Sequence, residues 1–584
     1  MNNQPQRNLG HAGFPTASWW AAFSCILLLA ALLRTVNLNG DEVRTDEGNY
    51  ALRAIGWNDF MFSTSLGTPW VWMMDQTVLP KWTLLSFNDH PPLHFAAIWL
   101  STRLLGLSLW AVRLPSVLYG LGTIALVMFQ LRRWEKTRGS LMAGTLLALL
   151  PWHIFISRQA IQESGVMFFL TATVVLCDLV DSSQSASTPG NWLRWTALGG
   201  TIGLGLLTKY SAIYALLPLA YLTWYRRWYQ HPGFWLLPLT IGTLLSGVFF
   251  YNRQLLLLRG HFDLQLSRLF TQDTKLDWPA SHQDLWQGDP TQFAAFLKHQ
   301  WIGLSLPAGL LLVIGAAAMV ARRSRRQRPS ITAMWTGLLG SLVLTAVTLN
   351  DYGRSSILLP WYALTFGITL EALPDLARRY GPAAVLGLLA LANVPRLAAT
   401  PELQRLVKTF PAEPNGFAQW ESWRADHVPT KFTPRHYQSL ADWLNALLQR
   451  SSDHPNDVIV YDNRITWFAS NWYFFRYGFY AQDAAFMNAG IFAVLADQNA
   501  LDHLRGRQLR FVEVGPAALD SKGAWDDQTV RTSKFFSTLR ARQRPVPTVI
   551  SSPNGDPLLT IWPLRWDEDV NFPLAPPRAL PNRP

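Results

Sequence analysis

A chain of 584 residues with a mean hydropathy of +0.09, 28 Trp and 31 Phe is more apolar than an ordinary soluble protein. Its formal net charge of +12 would suit nucleic acid if the bases clustered on a folded polar surface, but they fall in short loops between apolar runs. The two cysteines, Cys25 and Cys177, lie inside apolar segments and offer no basis for a disulfide framework or a cysteine metal site.

The first apolar run, Ala17 to Leu33, is long and lacks a small-x-small cleavage site before Arg34. It reads as a retained first span rather than a signal peptide. A polar loop over 37–109 follows, with seven Asp or Glu against three Arg or Lys between residues 38 and 90. It holds two acidic pairs, Asp41-Glu42 and Asp46-Glu47. Residues His90 to Leu107 have a helical pattern but carry His90, His94 and Arg103, so they read as a juxtamembrane or re-entrant helix.

From there, apolar runs alternate with basic loops: Arg132 to Arg138, Arg226-Arg227, Arg322 to Arg328 and Arg378-Arg379. This is the positive-inside pattern of a polytopic membrane protein. If all four clusters are cytoplasmic, an even number of spans separates consecutive clusters. That parity divides the apolar stretch between Arg194 and Arg226 into two spans at Thr208-Lys209-Tyr210. The expected spans are eleven: 17–36, 110–131, 140–157, 162–181, 194–207, 210–226, 233–251, 301–321, 331–350, 355–372 and 382–399. The N-terminus is then cytoplasmic, and the loops 37–109 and 252–300 are extracytoplasmic.

After residue 400 the chain turns mixed and polar. An amphipathic helix is expected over 437–448, and strands at 457–461, 510–515 and 547–550, giving a small α/β domain over 400–584 on the extracytoplasmic side. The aromatic-rich segment 467–480 reads as helix core or bilayer contact more readily than as a sugar platform.

The topology gathers Asp41, Glu42, Asp46, Glu47, Asp89, His90, Arg158, Gln162, Glu163, Lys209, Tyr210, Asp351, Tyr352 and Arg354 at the outer ends of spans. Ionisable groups at membrane depth are costly and usually face a cavity or a partner. Carboxylates can serve as a general base or hold a cation, and cations can hold a phosphate. Bland readings stand beside these: Asp46 and Glu47 as caps of a helix starting near Gly48, Lys209 and Arg354 as snorkelling cations, Arg158 and Glu163 as a structural pair, and His90 and His153 as helix-end histidines bonded to backbone.

The ordered motifs Arg44-Thr45-Asp46-Glu47-Gly48-Asn49-Tyr50-Ala51, His90-Pro91-Pro92-Leu93, Leu105-Gly106, Trp110 to Ser116, Ser157 to Glu163 and Gly205 to Ser211 resemble those of polyprenyl-phosphate-sugar-dependent glycosyltransferases. That family includes the dolichyl-phosphate-mannose protein mannosyltransferases and the lipid A aminoarabinose transferases. The resemblance implies the mainly α GT-C fold, here a transmembrane domain over 1–399 with its catalytic loop at 37–109 and a second outer loop at 252–300. It also implies roles. Asp46 resembles the general base, with Glu47 beside it. His90, Arg158, Lys209 and Arg354 resemble donor-phosphate ligands, and Glu163, Asp351 and Asp41 supporting acids. Arg354 stands six residues before Pro360, looser than the family pattern, and spacing alone leaves Asp41 a rival to Asp46.

The expected function is an integral membrane glycosyltransferase of the plasma (inner) membrane. It moves a sugar from a polyprenyl-phosphate carrier to an extracytoplasmic protein, lipid or polysaccharide by inverting displacement. No nucleic acid is involved. No cofactor is fixed by the pattern; a divalent cation stays open. The rival readings are a lipid or solute transporter with a polar cavity and an inactive membrane scaffold.

Overall fold

The structure is a computed structural model, described over residues 16–36, 38, 47–54, 91–182, 189–256, 300, 304, 306–321, 329–348, 355–370, 373, 375–397, 458–461, 485–488, 508–514, 546–551 and 557–565. In chain order the helices are α1 (Thr16–Thr35), α2 (Glu47–Ala54), α3 (Leu93–Leu105), α4 (Leu109–Arg133), α5 (Thr137–Leu149), α6 (Pro151–Arg158), α7 (Glu163–Asp181), α8 (Pro189–Thr208), α9 (Leu216–Tyr225), α10 (Leu236–Leu256), α11 (Leu306–Ala321), α12 (Pro329–Thr348), α13 (Leu359–Thr369) and α14 (Asp375–Leu397). Short 3-10 turns at Tyr210–Ala215 and Ser356–Leu358 lead into α9 and α13. Every one of the eleven expected spans coincides with helix.

By length and apolarity alone, α1, α4 and α7 can each cross a membrane, and the bent pair α5 and α6 can as one broken span. The chain is thus an integral membrane protein. α3, at 13 residues, is too short to cross a ~30 Å hydrocarbon core unaided, in keeping with the juxtamembrane or re-entrant reading.

The span expected over 140–157 is broken. Pro151 holds Leu150 in an extended conformation (φ −67°, ψ 114°), since a residue before proline avoids the helical region, and then serves as the first residue of α6. The two halves meet at 60°.

The described residues form two compact units, one of 1–38, 113–247 and 274–417 and another of 39–112, 248–273 and 418–584. In the first, small residues bring helices together. A Cβ on Gly139 of α5 would lie 2.2 Å from the Gly367 carbonyl oxygen of α13, so these backbones are in direct contact. Polar contacts sort the helix ends into two groups. At one end Trp19 Nε1 donates to Ser140 Oγ (2.9 Å) and the Arg132 guanidinium lies 4.1 Å from the Trp19 ring centre. At that same end Asp178 accepts from Arg133 Nε (3.0 Å), Trp134 Nε1 (3.0 Å) and Ser330 Oγ (2.6 Å), and Asp181 accepts from Arg226 Nε (2.6 Å).

The second unit holds α2 packed on α3 and a five-stranded sheet. β1 (Val458–Tyr461), β2 (Ala485–Asn488), β3 (Gln508–Val514), β4 (Thr548–Ser551) and β5 (Pro557–Arg565) run in the order β2-β1-β3-β5-β4. β1 is parallel to β2 and β3, while β5 is antiparallel to β3 and β4. The strands expected at 457–461, 510–515 and 547–550 are present. The helix expected over 437–448 and the aromatic segment 467–480 lie outside the described residues.

The Asp178 carboxylate ties α4, α7 and α12 together while 4% exposed. Asp178→Ala strands its donors and should destabilise the bundle by about 3 kcal/mol, whereas Asp178→Asn, which still accepts hydrogen bonds, should lose less. Thermal unfolding of the purified protein in detergent measures both.

Candidate functional site

The opposite end of the first unit is built from two interruptions in helical sequence. The first is the Pro151 bend, which carries Arg158 at the last turn of α6 to the end of α1. There Arg158 donates from one guanidinium nitrogen to the carbonyls of Leu33 (3.2 Å) and Val36 (2.7 Å). The second is Lys209, whose extended backbone (φ −161°, ψ 143°) separates α8 from the 3-10 turn before α9. Its ammonium forms an ion pair with Glu163, the first residue of α7.

That pair needs α7 and α8 to approach closely. A Cβ on Gly165 would lie 2.7 Å from Thr208 Cγ2, so only glycine leaves room there. Glu163 also sits in the first turn of a helix, where the dipole favours a carboxylate. The side chains of Lys209 and Glu163 are 16% and 8% exposed, so each needs the other.

Two further arginines, given no role by the sequence, converge on the same place. Arg34, in the last turn of α1 and wholly buried, donates to the carbonyls of Ala30 (3.0 Å), Ala148 (3.3 Å) and Leu147 (3.0 Å), and to His153 Nδ1 (2.6 Å). Arg113 on α4, 1% exposed, donates to the Leu38 carbonyl (2.5 Å). In the sequence Arg34 closes an apolar run and Arg113 lies within the Trp110 to Ser116 motif, and neither pattern says what the side chain meets. Three guanidinium groups therefore serve the C-terminal end of α1, whose last carbonyls lack helical partners and carry partial negative charge. With Lys209 they make this end of the unit cationic, relieved among these contacts by Glu163.

The structure thus brings Arg158, Glu163 and Lys209 to one end, as the parity argument requires. Glu163 pairs with Lys209 rather than with Arg158. His153, read as a helix-end histidine, bonds Arg34. Glu47 opens α2 in the second unit and is fully buried; a helix beginning here is the cap-like reading of the Asp46-Glu47 pair. In that unit Tyr50 packs edge-on against His94 (6.4 Å between ring centres) and Phe95 (5.5 Å). Asp41, Asp46, His90, Asp351 and Arg354 lie outside the described residues. Among the described residues no three His, Cys, Asp or Glu gather to hold a metal ion.

Lys209→Met leaves Glu163 buried without its partner and should cost about 3–5 kcal/mol, while the double change Glu163→Gln with Lys209→Met should recover most of that loss. Melting of the three proteins in nanodiscs is the measurement, and a Lys209→Met protein as stable as wild type would contradict the pairing.

Residues 89–251 match the protein-family profile described as Dolichyl-phosphate-mannose-protein mannosyltransferase. A curated relative, "Undecaprenyl phosphate-alpha-4-amino-4-deoxy-L-arabinose arabinosyl transferase" of Pseudomonas paraeruginosa, is 26% identical over 172 residues. That match covers 29% of this chain and spans only 31% of the relative's length. Over nearly the whole chain the fold is similar to that of ArnT from Cupriavidus metallidurans. The apo structure has a TM-score of 0.53 at 15% identity, covering 94% of this chain and 98% of that one. The structure bound to undecaprenyl phosphate has a TM-score of 0.52 at 16% identity, with the same coverage. Residues 89–251 are thus similar in sequence to these transferases, and the chain as a whole shares the fold of ArnT.

Proposed function

We propose that this protein transfers a sugar from a polyprenyl-phosphate carrier to an acceptor on the extracytoplasmic face of the plasma (inner) membrane. The observation that carries the reading is the cationic end of the bundle, where Arg34, Arg113, Arg158 and the Glu163–Lys209 pair meet. A fold similar to that of a protein bound to undecaprenyl phosphate supports it. An anionic lipid headgroup reaching this end of the helices meets a positive field in a setting of low dielectric, where such charge is worth most.

The chemistry is a single inverting displacement. An acceptor oxygen attacks the anomeric carbon, Asp46 takes the acceptor proton, and the bond from that carbon to the phosphate oxygen breaks. The electron pair leaves with the polyprenyl phosphate, whose charge is shared by Lys209, His90 and Arg354. Glu47 supports Asp46, and Glu163 sets the position of Lys209. Asp351 and Asp41 supply further acidic groups, and a divalent cation is compatible with them. Arg158 acquires a positioning role beside the phosphate role that the resemblance implies. It pins the end of α1, from which the loop bearing Asp46 departs.

Eleven spans with a cytoplasmic N-terminus put this end of the bundle outside. The α/β domain expected over 400–584 is extracytoplasmic in the same reading.

The test is turnover of a panel of undecaprenyl-phosphate sugars by purified protein in nanodiscs. Asp46→Asn should lower turnover at least ~10²-fold, the usual contribution of a positioned base, with donor binding retained. A variant that turns over like wild type would remove Asp46 from the mechanism, and no donor consumption by wild type would remove the transferase reading.

A further inference from the structure

Residues 224–229 read Trp-Tyr-Arg-Arg-Trp-Tyr, a basic pair flanked on both sides by aromatics. Tryptophan, tyrosine and arginine suit the level of lipid headgroups, where one part of a side chain is apolar and its tip is wet. In the structure α9 ends at Tyr225, Trp228–Gln230 forms a 3-10 turn, and a second such turn, Pro232–Trp235, leads into α10. The chain thereby brings Tyr229 and Phe234 across from one face of α9.

Leu216, Leu219, Thr223 and Trp224 recur on that face at helical spacing, and with Tyr229 and Phe234 they line a groove of about 440 Å³. Leu219 is buried, whereas Trp224 is 74% and Tyr229 47% exposed. The groove is therefore apolar and open. From Leu216 to Trp224 it follows α9 for about two turns, ~12 Å, which is room for a run of acyl-chain methylenes.

The two arginines beside the groove are used differently. Arg226 donates from Nε and a terminal nitrogen to the two carboxylate oxygens of Asp181 on α7 (2.6 and 3.0 Å), and its guanidinium lies 5.6 Å from the Tyr225 ring centre. Arg227 is exposed, and its guanidinium has no hydrogen-bond or ion-pair partner among the described residues. It stands between the groove residues Trp224 and Tyr229, and its backbone N–H donates to the Trp224 carbonyl (3.4 Å). Its backbone is left-handed (φ 53°, ψ 41°), a conformation that glycine or asparagine adopts at lower cost than arginine.

We infer that this groove binds an anionic phospholipid of the surrounding bilayer, with one acyl chain along α9 and the phosphate paired with Arg227. Charge complementarity selects this occupant. A second copy of the chain or an apolar partner helix would fill the groove but leave Arg227 without a counter-ion, whereas a juxtamembrane arginine attracts an anionic headgroup. Arg226, already held by Asp181, fixes the end of α9 from which Arg227 is presented. The site is independent of the donor reading, because it lies at the Asp181 end of α7 and the Glu163–Lys209 pair lies at the other end.

Titration of the delipidated full-length protein with phosphatidylglycerol or phosphatidylcholine of identical acyl chains, followed by native mass spectrometry, tests the site. Wild type should bind one phosphatidylglycerol about tenfold more tightly than phosphatidylcholine. Arg227→Asn, which suits the left-handed backbone, should erase that preference. Ala220→Phe puts a ring into the groove from an exposed position on α9 and should abolish the tight binding. Turnover of polyprenyl-phosphate sugars should be unchanged in both variants, since neither residue belongs to the proposed transfer site. Equal affinity of wild type for the two lipids, or tight phosphatidylglycerol binding that survives in Ala220→Phe, overturns the proposal. So does glycerol phosphate binding as tightly as the lipid, which would leave the groove without a role, or displacement of phosphatidylglycerol by undecaprenyl phosphate, which would make the groove a carrier site. A change of oligomeric state in Ala220→Phe would instead mark an interface between copies of the chain, and also overturns it.

Discussion

A helix that ends inside a packed membrane protein leaves its last carbonyls without intrahelical partners and without water to replace them. At the end of α1 that demand is met by arginine. Arg158 serves Leu33 and Val36, Arg113 serves Leu38, and Arg34 reaches back to Ala30 and across to Leu147 and Ala148. Three side chains from three helices are thereby committed to one spot. The device that closes α1 thus gathers guanidinium groups from three helices at this end of the bundle.

The remainder of the site depends on where helices are allowed to break. Pro151 turns α6 by 60° from α5, which lets Arg158 arrive at α1. Lys209 stops α8 in an extended residue, and the glycine at 165 lets α7 come close enough for Glu163 to meet it. The pairing of Glu163 with Lys209 offsets the cost of burying either alone, but it also fixes the ammonium in place. Phosphate chemistry in a membrane needs positively charged groups held before the ligand arrives, and such cross-links supply that preorganisation.

The opposite end of the first unit works differently. There the Asp178 carboxylate collects donors from Arg133 and Trp134 at the end of α4 and from Ser330 in the first turn of α12, while Asp181 takes Arg226. Here carboxylates collect the donors, whereas at the other end backbone carbonyls and Glu163 do.

How much of this was legible follows from what each signal measures. Apolar runs of span length and the bias of Arg and Lys to alternate loops are properties of composition along the chain. They located helices at all eleven expected positions and sorted residues 158, 163 and 209 to one side. The break at Lys209 was visible because a charge interrupts an apolar stretch; the bend at Pro151 was not inferred, although proline is its cause. The pairing of Glu163 with Lys209 rather than Arg158, and the burial of Arg34 and Arg113, were tertiary decisions. Sequence by itself determined the membrane class and the order of the helices, because hydropathy and charge act locally. Which cation meets which carbonyl or carboxylate depends on distances between helices remote in the chain, and packing alone sets those.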